Sequence, residues 1–303
     1  MEGTSILKEK LSRGEFIVTA EIAPPKSASA DDFIARAEKM RGFADAYNVT
    51  DNQTAMVRLS SLAGSVMCLR MGMEPIMQIV CRDRNRIAMQ SDMLGAHALG
   101  VRNVLCISGD HQSFGNQPDA KNVFDVDSTQ QIMIFRKMTD EGRLWGGDEI
   151  MNPPKLCIGA ATNPFGTPMG MHMLRTMNKL AAGAEFFQTQ AVFDLDRFDE
   201  WMEGIRKQGI HKKAGIIVGI LPLRTVRAAR FMMNNVPGTC VPDTVLKRLA
   251  SAADSSAEGL RIAAETIEHV SSQEGVAGIH IMPINWHASV GQLVNMTGLG
   301  PSP

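Results

Sequence analysis

Eight short apolar segments rich in β-branched residues recur along the chain. Each is followed by a stretch with helical spacing, and that alternation leaves few folds open. The strand-like segments cover 16–26, 44–52, 74–81, 101–110, 155–163, 184–192, 215–223 and 278–284. Helical spacing runs over 30–43, 56–71, up to Gly100, 128–142, 167–183, 195–208, 224–236, 243–272 and 288–298. The pattern breaks at 111–125 (HQSFGNQPDAKNVFD), which is too polar and turn-rich for a core element and too long for an ordinary loop. These features predict an α/β protein: a single (β/α)₈ TIM barrel over 1–303, with an insertion after strand four and extra helices before strand eight. A doubly wound open sheet is the alternative. It lacks support, because no G-x-G-x-x-G follows the first strand.

Composition narrows the function classes. With 303 residues and 44% hydrophobic content the chain can bury a large core, and a net charge of −1 does not point to nucleic acid or an anionic membrane. No run approaches the roughly 18 apolar residues of a spanning helix, and the first residues hold no apolar signal core. The expectation is a cytoplasmic protein. Five widely spaced cysteines form no CxxC and no zinc pattern, so they read as buried thiols rather than as a metal site or disulfide framework. Twenty-one methionines beside one tyrosine suit core or subunit-interface filling and favour self-association.

A barrel brings its chemistry to the C-terminal ends of its strands. Strand one ends with Glu21 just before Pro24 and Pro25; a lone carboxylate there is either a paired core residue or a working one. Strand two ends in Thr50, Asp51 and Asn52, and strand three carries Gln78 and Arg82. Strand four ends in Ser108, Gly109 and Asp110, strand five in Thr162 and Asn163, strand six in Gln188 and Gln190, and strand eight in Asn285. Taken singly, each is as well explained by a turn, a cap or a core pair. Together, two carboxylates and several amides on one rim, without a basic cluster, suit a flat heterocycle with donors and acceptors better than a phosphate.

Several short stretches, in order along the barrel, resemble one family. They are Ala20-Glu-Ile-Ala-Pro-Pro25, Asn48-Val-Thr50, Gly109-Asp110, Lys179-Leu-Ala-Ala-Gly-Ala184, Gln188-Thr-Gln-Ala-Val-Phe-Asp194 and Gly219-Ile-Leu-Pro222. The chain resembles methylenetetrahydrofolate reductase in its short bacterial barrel form, from Phe16 to about Gly298. The resemblance implies a flavin, FAD or FMN, in the barrel mouth. It also implies hydride transfer to 5,10-methylenetetrahydrofolate, giving 5-methyltetrahydrofolate. It makes Glu21 the general acid and Asp110 the carboxylate near flavin and folate. Burial at an apolar strand end would help such an acid keep its proton near neutrality. Thr50, Asn52, Gln78, Gly109, Asp110, Thr162 and Lys179 become flavin contacts, and Gln188, Gln190 and Asn285 become folate contacts.

Two positions depart from relatives that use NAD(P)H. Val226 stands where an aromatic can follow the Ile-Leu-Pro turn, and Trp286 where an arginine can follow the strand-eight asparagine. The 111–125 insertion resembles the version in anaerobic bacteria that fix carbon through this reaction, where an electron-delivering partner subunit is common. The electron source is therefore NAD(P)H or such a partner. Two other readings stay open at this point: a folate-binding barrel that passes a methyl group to a corrinoid protein, and a non-catalytic scaffold subunit.

Overall fold

The computed structural model describes residues 4–236 and 238–300. Eight parallel strands form a closed barrel in chain order: β1 (Ile17–Ile22), β2 (Ala46–Val49), β3 (Pro75–Val80), β4 (Asn103–Ile107), β5 (Cys157–Thr162), β6 (Phe186–Ala191), β7 (Gly215–Ile220) and β8 (Val276–Ile281). β1 closes the ring against β8, with Thr19 opposite His280, and on its other side places Glu21 opposite Asn48. Eleven α-helices accompany these strands among the described residues: α1 (Ile6–Ser12), α2 (Ala30–Ala37), α3 (Ser61–Arg70), α4 (Arg86–Ala98), α5 (Ser128–Arg136), α6 (Met169–Ala181), α7 (Leu195–Lys207), α8 (Val226–Asn235), α9 (Asp243–Ser251), α10 (Ser255–Ser271) and α11 (Ala288–Thr297). The predicted barrel, its insertion and its extra helices are all present. No helix among the described residues is long and apolar enough to cross a membrane.

Local chemistry accounts for most boundaries. Ser29, Ser60, Asn85, Asp194, Thr225 and Asp254 each accept a backbone N–H at a helix start, and Asp127 forms a reciprocal capping box with Gln130. Where the helical reading ran long, the cause is local. The 56–71 reading begins only at Ser61, because 53–55 is a tight turn with positive φ at Thr54 and Ala55. The 243–272 reading splits in two at the Asp254 cap. Helix α1 was not anticipated. It lies below the barrel, where Glu74 accepts the Ile6 and Leu7 amides at 3.0 Å each.

Alternating side chains give two layers of packing. Outward residues such as Ile22, Val49, Ile79, Phe187 and Ile279 join the helices in the main core. Inward residues at the lower end, Ile17, Ala46, Ile76, Leu105, Cys157, Phe186 and Ile217, pack with Leu7 of α1 into an apolar floor. A third cluster joins Leu221 and Leu223 after β7 to α8, α9 and α10. The 111–125 insertion folds back on β3, with Val123 and Phe124 amides donating to the Arg82 and Cys81 carbonyls.

The floor tolerates no added bulk at Gly159, where a Cβ would lie 2.2 Å from the Phe186 ring. Gly159→Ala is expected to lower the urea midpoint, equivalent to about 1–3 kcal/mol of overpacking.

Candidate active site

Above the apolar floor the barrel interior becomes polar. Asn48 and Gln188 reach across it and exchange two hydrogen bonds, Asn48 Nδ2 donating to Gln188 Oε1 at 2.6 Å and Gln188 Nε2 donating to Asn48 Oδ1 at 3.0 Å. Gln188 Nε2 also lies 3.4 Å from Thr19 Oγ1, which in turn lies 2.9 Å from His280 Nδ1. His280 Nε2 then faces Glu21 Oε2 at 4.0 Å. All five side chains are buried. A polar chain inside a barrel is tolerable because nearly every donor and acceptor finds a partner.

Glu21 stands at the top of this chain, two residues above Thr19 on the same face of β1. Its Oε1 accepts from Gln53 Nε2 at 3.2 Å. The next residue of that turn, Thr54, donates its amide to Asp110 Oδ2 at 3.1 Å. One short turn thus touches both predicted carboxylates, Glu21 buried in the mouth and Asp110 exposed on the rim. The turn is strained, with Asn52, Thr54 and Ala55 all at positive φ.

Buried Arg82 holds the rim together. Its guanidinium grips the Asp83 carboxylate at 2.7 and 2.8 Å, the Asp110 carbonyl at 2.9 Å and the Asn52 carbonyl at 3.2 Å. It thereby ties the loops after β2, β3 and β4. Burial pushes the Asp83 carboxyl up, but hydrogen bonds from Arg82 and Asn52 outweigh that and hold it below the usual range. Gly109 sits at φ +89°, close under Val80, and lets the chain turn into Asp110. Asp51, also buried, accepts the Val80 amide at 3.0 Å and an Arg84 fork at 2.6 and 3.3 Å.

The predicted contacts divide into three sets. Thr50, Gln78 and Gln190 lie on inward positions of their strands, or just beyond them, near the mouth. Thr50 Oγ1 is buried without a partner among the described residues, and the Gln78 and Gln190 amides make no side-chain hydrogen bond there. Asn285 is exposed at positive φ after β8. Asn52 is near the opening but committed, its amide reaching Asp83 at 3.2 Å and accepting from the Arg58 N–H at 3.1 Å. Gln188 is committed to Asn48 below the mouth.

Thr162 and Lys179 do not face the opening. Thr162 shares the outward parity of Ile158 and Ala160, and its hydroxyl meets Thr176 of α6 at 2.7 Å. Lys179 Nζ donates to the Ala161 carbonyl at 2.7 Å, behind the sheet. Burial pushes its amine below the ordinary lysine range, against the opposing pull of Cys106 and Asp127. Sequence reasoning missed Gln53 and His280. The imidazole was within reach of the alternation rule, since Gly278 and His280 share the inward parity of β8. Gln53 had no such signal, because its position depends on the strained turn.

Comparisons with known proteins agree on one family. A family model for methylenetetrahydrofolate reductase matches residues 6–298. The chain is similar to methylenetetrahydrofolate reductase 1 of Schizosaccharomyces pombe, 25% identical over 235 residues, which cover 74% of this chain and 35% of that protein. It is also similar to a probable methylenetetrahydrofolate reductase (NADPH) of Caenorhabditis elegans, 23% identical over 251 residues, covering 79% and 34%. The chain thus spans about a third of the length of these curated relatives. Among solved structures, an uncharacterized Clostridium thermocellum protein that binds two copies of 5-methyl-5,6,7,8-tetrahydrofolic acid superposes with a TM-score of 0.70 at 15% identity, covering 97% of this chain and 99% of that one. That likeness is one of fold.

The Asp83 clamp carries a pH signature. Its depressed folded value contributes stability that is complete above the unfolded carboxylate value of about 4 and is lost as pH falls through the lower folded value. Asp83→Asn is therefore expected to flatten the acid side of a melting-temperature profile against pH.

Proposed function

The chain belongs to the methylenetetrahydrofolate reductase family, and on that premise we propose that it reduces 5,10-methylenetetrahydrofolate to 5-methyltetrahydrofolate at the barrel mouth. The observation that carries the reading is the single turn that contacts Glu21 through Gln53 and Asp110 through the Thr54 amide. It sets a buried acid and an exposed carboxylate at one opening, within the span of one planar heterocycle.

A flavin fits the residues present. Thr50 Oγ1 is a buried hydroxyl that no other described group satisfies, and such groups ordinarily have a partner. Thr50 and Gln78 would hold the ring, and Gly109 leaves room beside it. Asn52, Thr162 and Lys179 are engaged elsewhere and would act only from behind these contacts. When bound, a reduced flavin supplies the hydride; FAD and FMN offer the same ring chemistry.

The chain's own groups do the rest. Glu21 holds the proton that N10 of the folate accepts as the bond from N10 to the one-carbon unit breaks, its electron pair staying on N10. The cationic iminium left on N5 develops near the Asp110 carboxylate, which lowers its energy. Gln190 and Asn285, with no side-chain partners among the described residues, offer amide donors and acceptors to the pterin edge. Electrons enter from NAD(P)H or from a partner subunit. Trp286, one of the two departures from NAD(P)H-using relatives, lies under the Arg224 guanidinium at 5.8 Å.

The test is direct. The purified chain is expected to absorb near 450 nm and to oxidise 5-methyltetrahydrofolate with an artificial acceptor. Glu21→Gln should cut that turnover by a hundredfold or more, in line with the roughly 10²–10⁴ typical of a lost general acid, while leaving the bound chromophore. Near wild-type turnover in Glu21→Gln would remove Glu21 from the mechanism. Thr50→Val should hold or raise the urea midpoint, because it deletes an unpaired buried hydroxyl, yet weaken flavin retention. Unchanged retention would take Thr50 out of the flavin site.

A further inference from the structure

We propose that Glu21 and His280 hold one proton between them, and that His280 acts through Glu21 as a positioning residue for the acid step. The catalytic part rests on the function proposed above; the proton arrangement does not.

Hydrogen bonding assigns the imidazole tautomer. Thr19 Oγ1 lies 3.2 Å from the Ile279 carbonyl, which can only accept, so the hydroxyl hydrogen goes there. Gln188 Nε2 donates to the same oxygen at 3.4 Å. With its hydrogen already committed, Thr19 Oγ1 can only receive from His280 Nδ1 at 2.9 Å, and Nδ1 therefore carries the ring hydrogen. In a neutral ring Nε2 is then a bare acceptor, and it is the atom that faces Glu21 Oε2 at 4.0 Å.

Both side chains are largely shut off from water, Glu21 at 8% exposure and His280 at 3%. A carboxylate beside a bare ring nitrogen would oppose two lone pairs where solvent cannot relieve them. A single proton removes the conflict. It sits on Glu21 beside a neutral ring, or on Nε2 beside a carboxylate, and the pair carries no net charge either way. The surroundings do not replace that proton. Gln53 donates to the other carboxyl oxygen and is uncharged. Arg58, in the segment after β2, is the one other charged group whose field couples to Glu21 among the described residues; its own guanidinium is held down by burial and by Arg36. On the far side of His280, β7 presents Gly219, which has no side chain.

The pair suits an acid that must be reloaded. When Glu21 passes its proton to N10, the carboxylate left behind can be neutralised at once by a solvent proton taken on Nε2. Two acceptor sites for one proton also keep the pair loaded to higher pH than Glu21 alone could.

Nitrogen-15 NMR of the histidine-labelled full chain tests the arrangement without any ligand. His280 is expected as the Nδ1–H tautomer near neutral pH. Thr19→Val should mix the tautomers, and Glu21→Gln should move the His280 nitrogen titration to lower pH. His280→Asn, which keeps a donor toward Thr19 but no group toward Glu21, should retain flavin while the alkaline limb of 5-methyltetrahydrofolate oxidation moves down by about one pH unit or more. An Nε2–H tautomer in the wild-type chain would overturn the proposal, and that measurement needs no variant. An unmoved titration in Glu21→Gln, or an unmoved alkaline limb in His280→Asn, would overturn it as well. If the nitrogen signals behave as expected but the wild-type chain turns over no folate, the proposed function fails and the shared proton stands.

Discussion

Two amides that face each other inside the barrel, Asn48 and Gln188, mark the level where packing ends and chemistry begins. Below them the interior is filled by Ile17, Ile76, Leu105, Phe186 and Ile217. Above them stand Glu21 and the open rim. Burying two amides is tolerable only because each satisfies the other, and their reciprocal bonds leave little freedom to either side chain. Gln188 then passes that order to Thr19, and Thr19 to His280. The orientation of the histidine beside Glu21 is thus inherited from a pair on the far side of the barrel.

The rim is built on a different principle. Its loops carry positive φ at Asn52, Thr54 and Ala55, conformations that cost of order 1–3 kcal/mol each outside glycine. They persist because several anchors act on one short stretch. Arg82 takes the Asn52 carbonyl, Asp110 the Thr54 amide and Asn116 the Val57 amide. The insertion after β4 supplies the last of these, and Asp125 fastens its far end to Arg86 at 2.6 and 2.8 Å. Order in the mouth therefore depends on a segment that the barrel itself does not need.

Strands and their inward ends were legible because both follow from a period of two that the sequence displays openly. Glu21, Thr50 and Gln78 are found where that period puts them. Thr162 shows its limit: it ends a strand beside polar neighbours, but one residue of parity turns it toward Thr176 and away from the opening. Gln188 shows a second limit, since an inward amide satisfied by a partner 140 positions away looks the same in sequence as one awaiting a ligand. Gln53 and helix α1 were illegible for a third reason. Their places are set by contacts with Glu21 and Glu74 that no local pattern announces.

Helix α1 has a wider consequence. With Leu7 seated among Phe186 and Ile217, the cylinder is stoppered at its base and has a single doorway. Any two reactants bound for the interior must use that doorway together or in turn, and whatever forms inside must leave before the next visitor can enter. The order of events at such a vessel is dictated by its plumbing before any bond is made or broken.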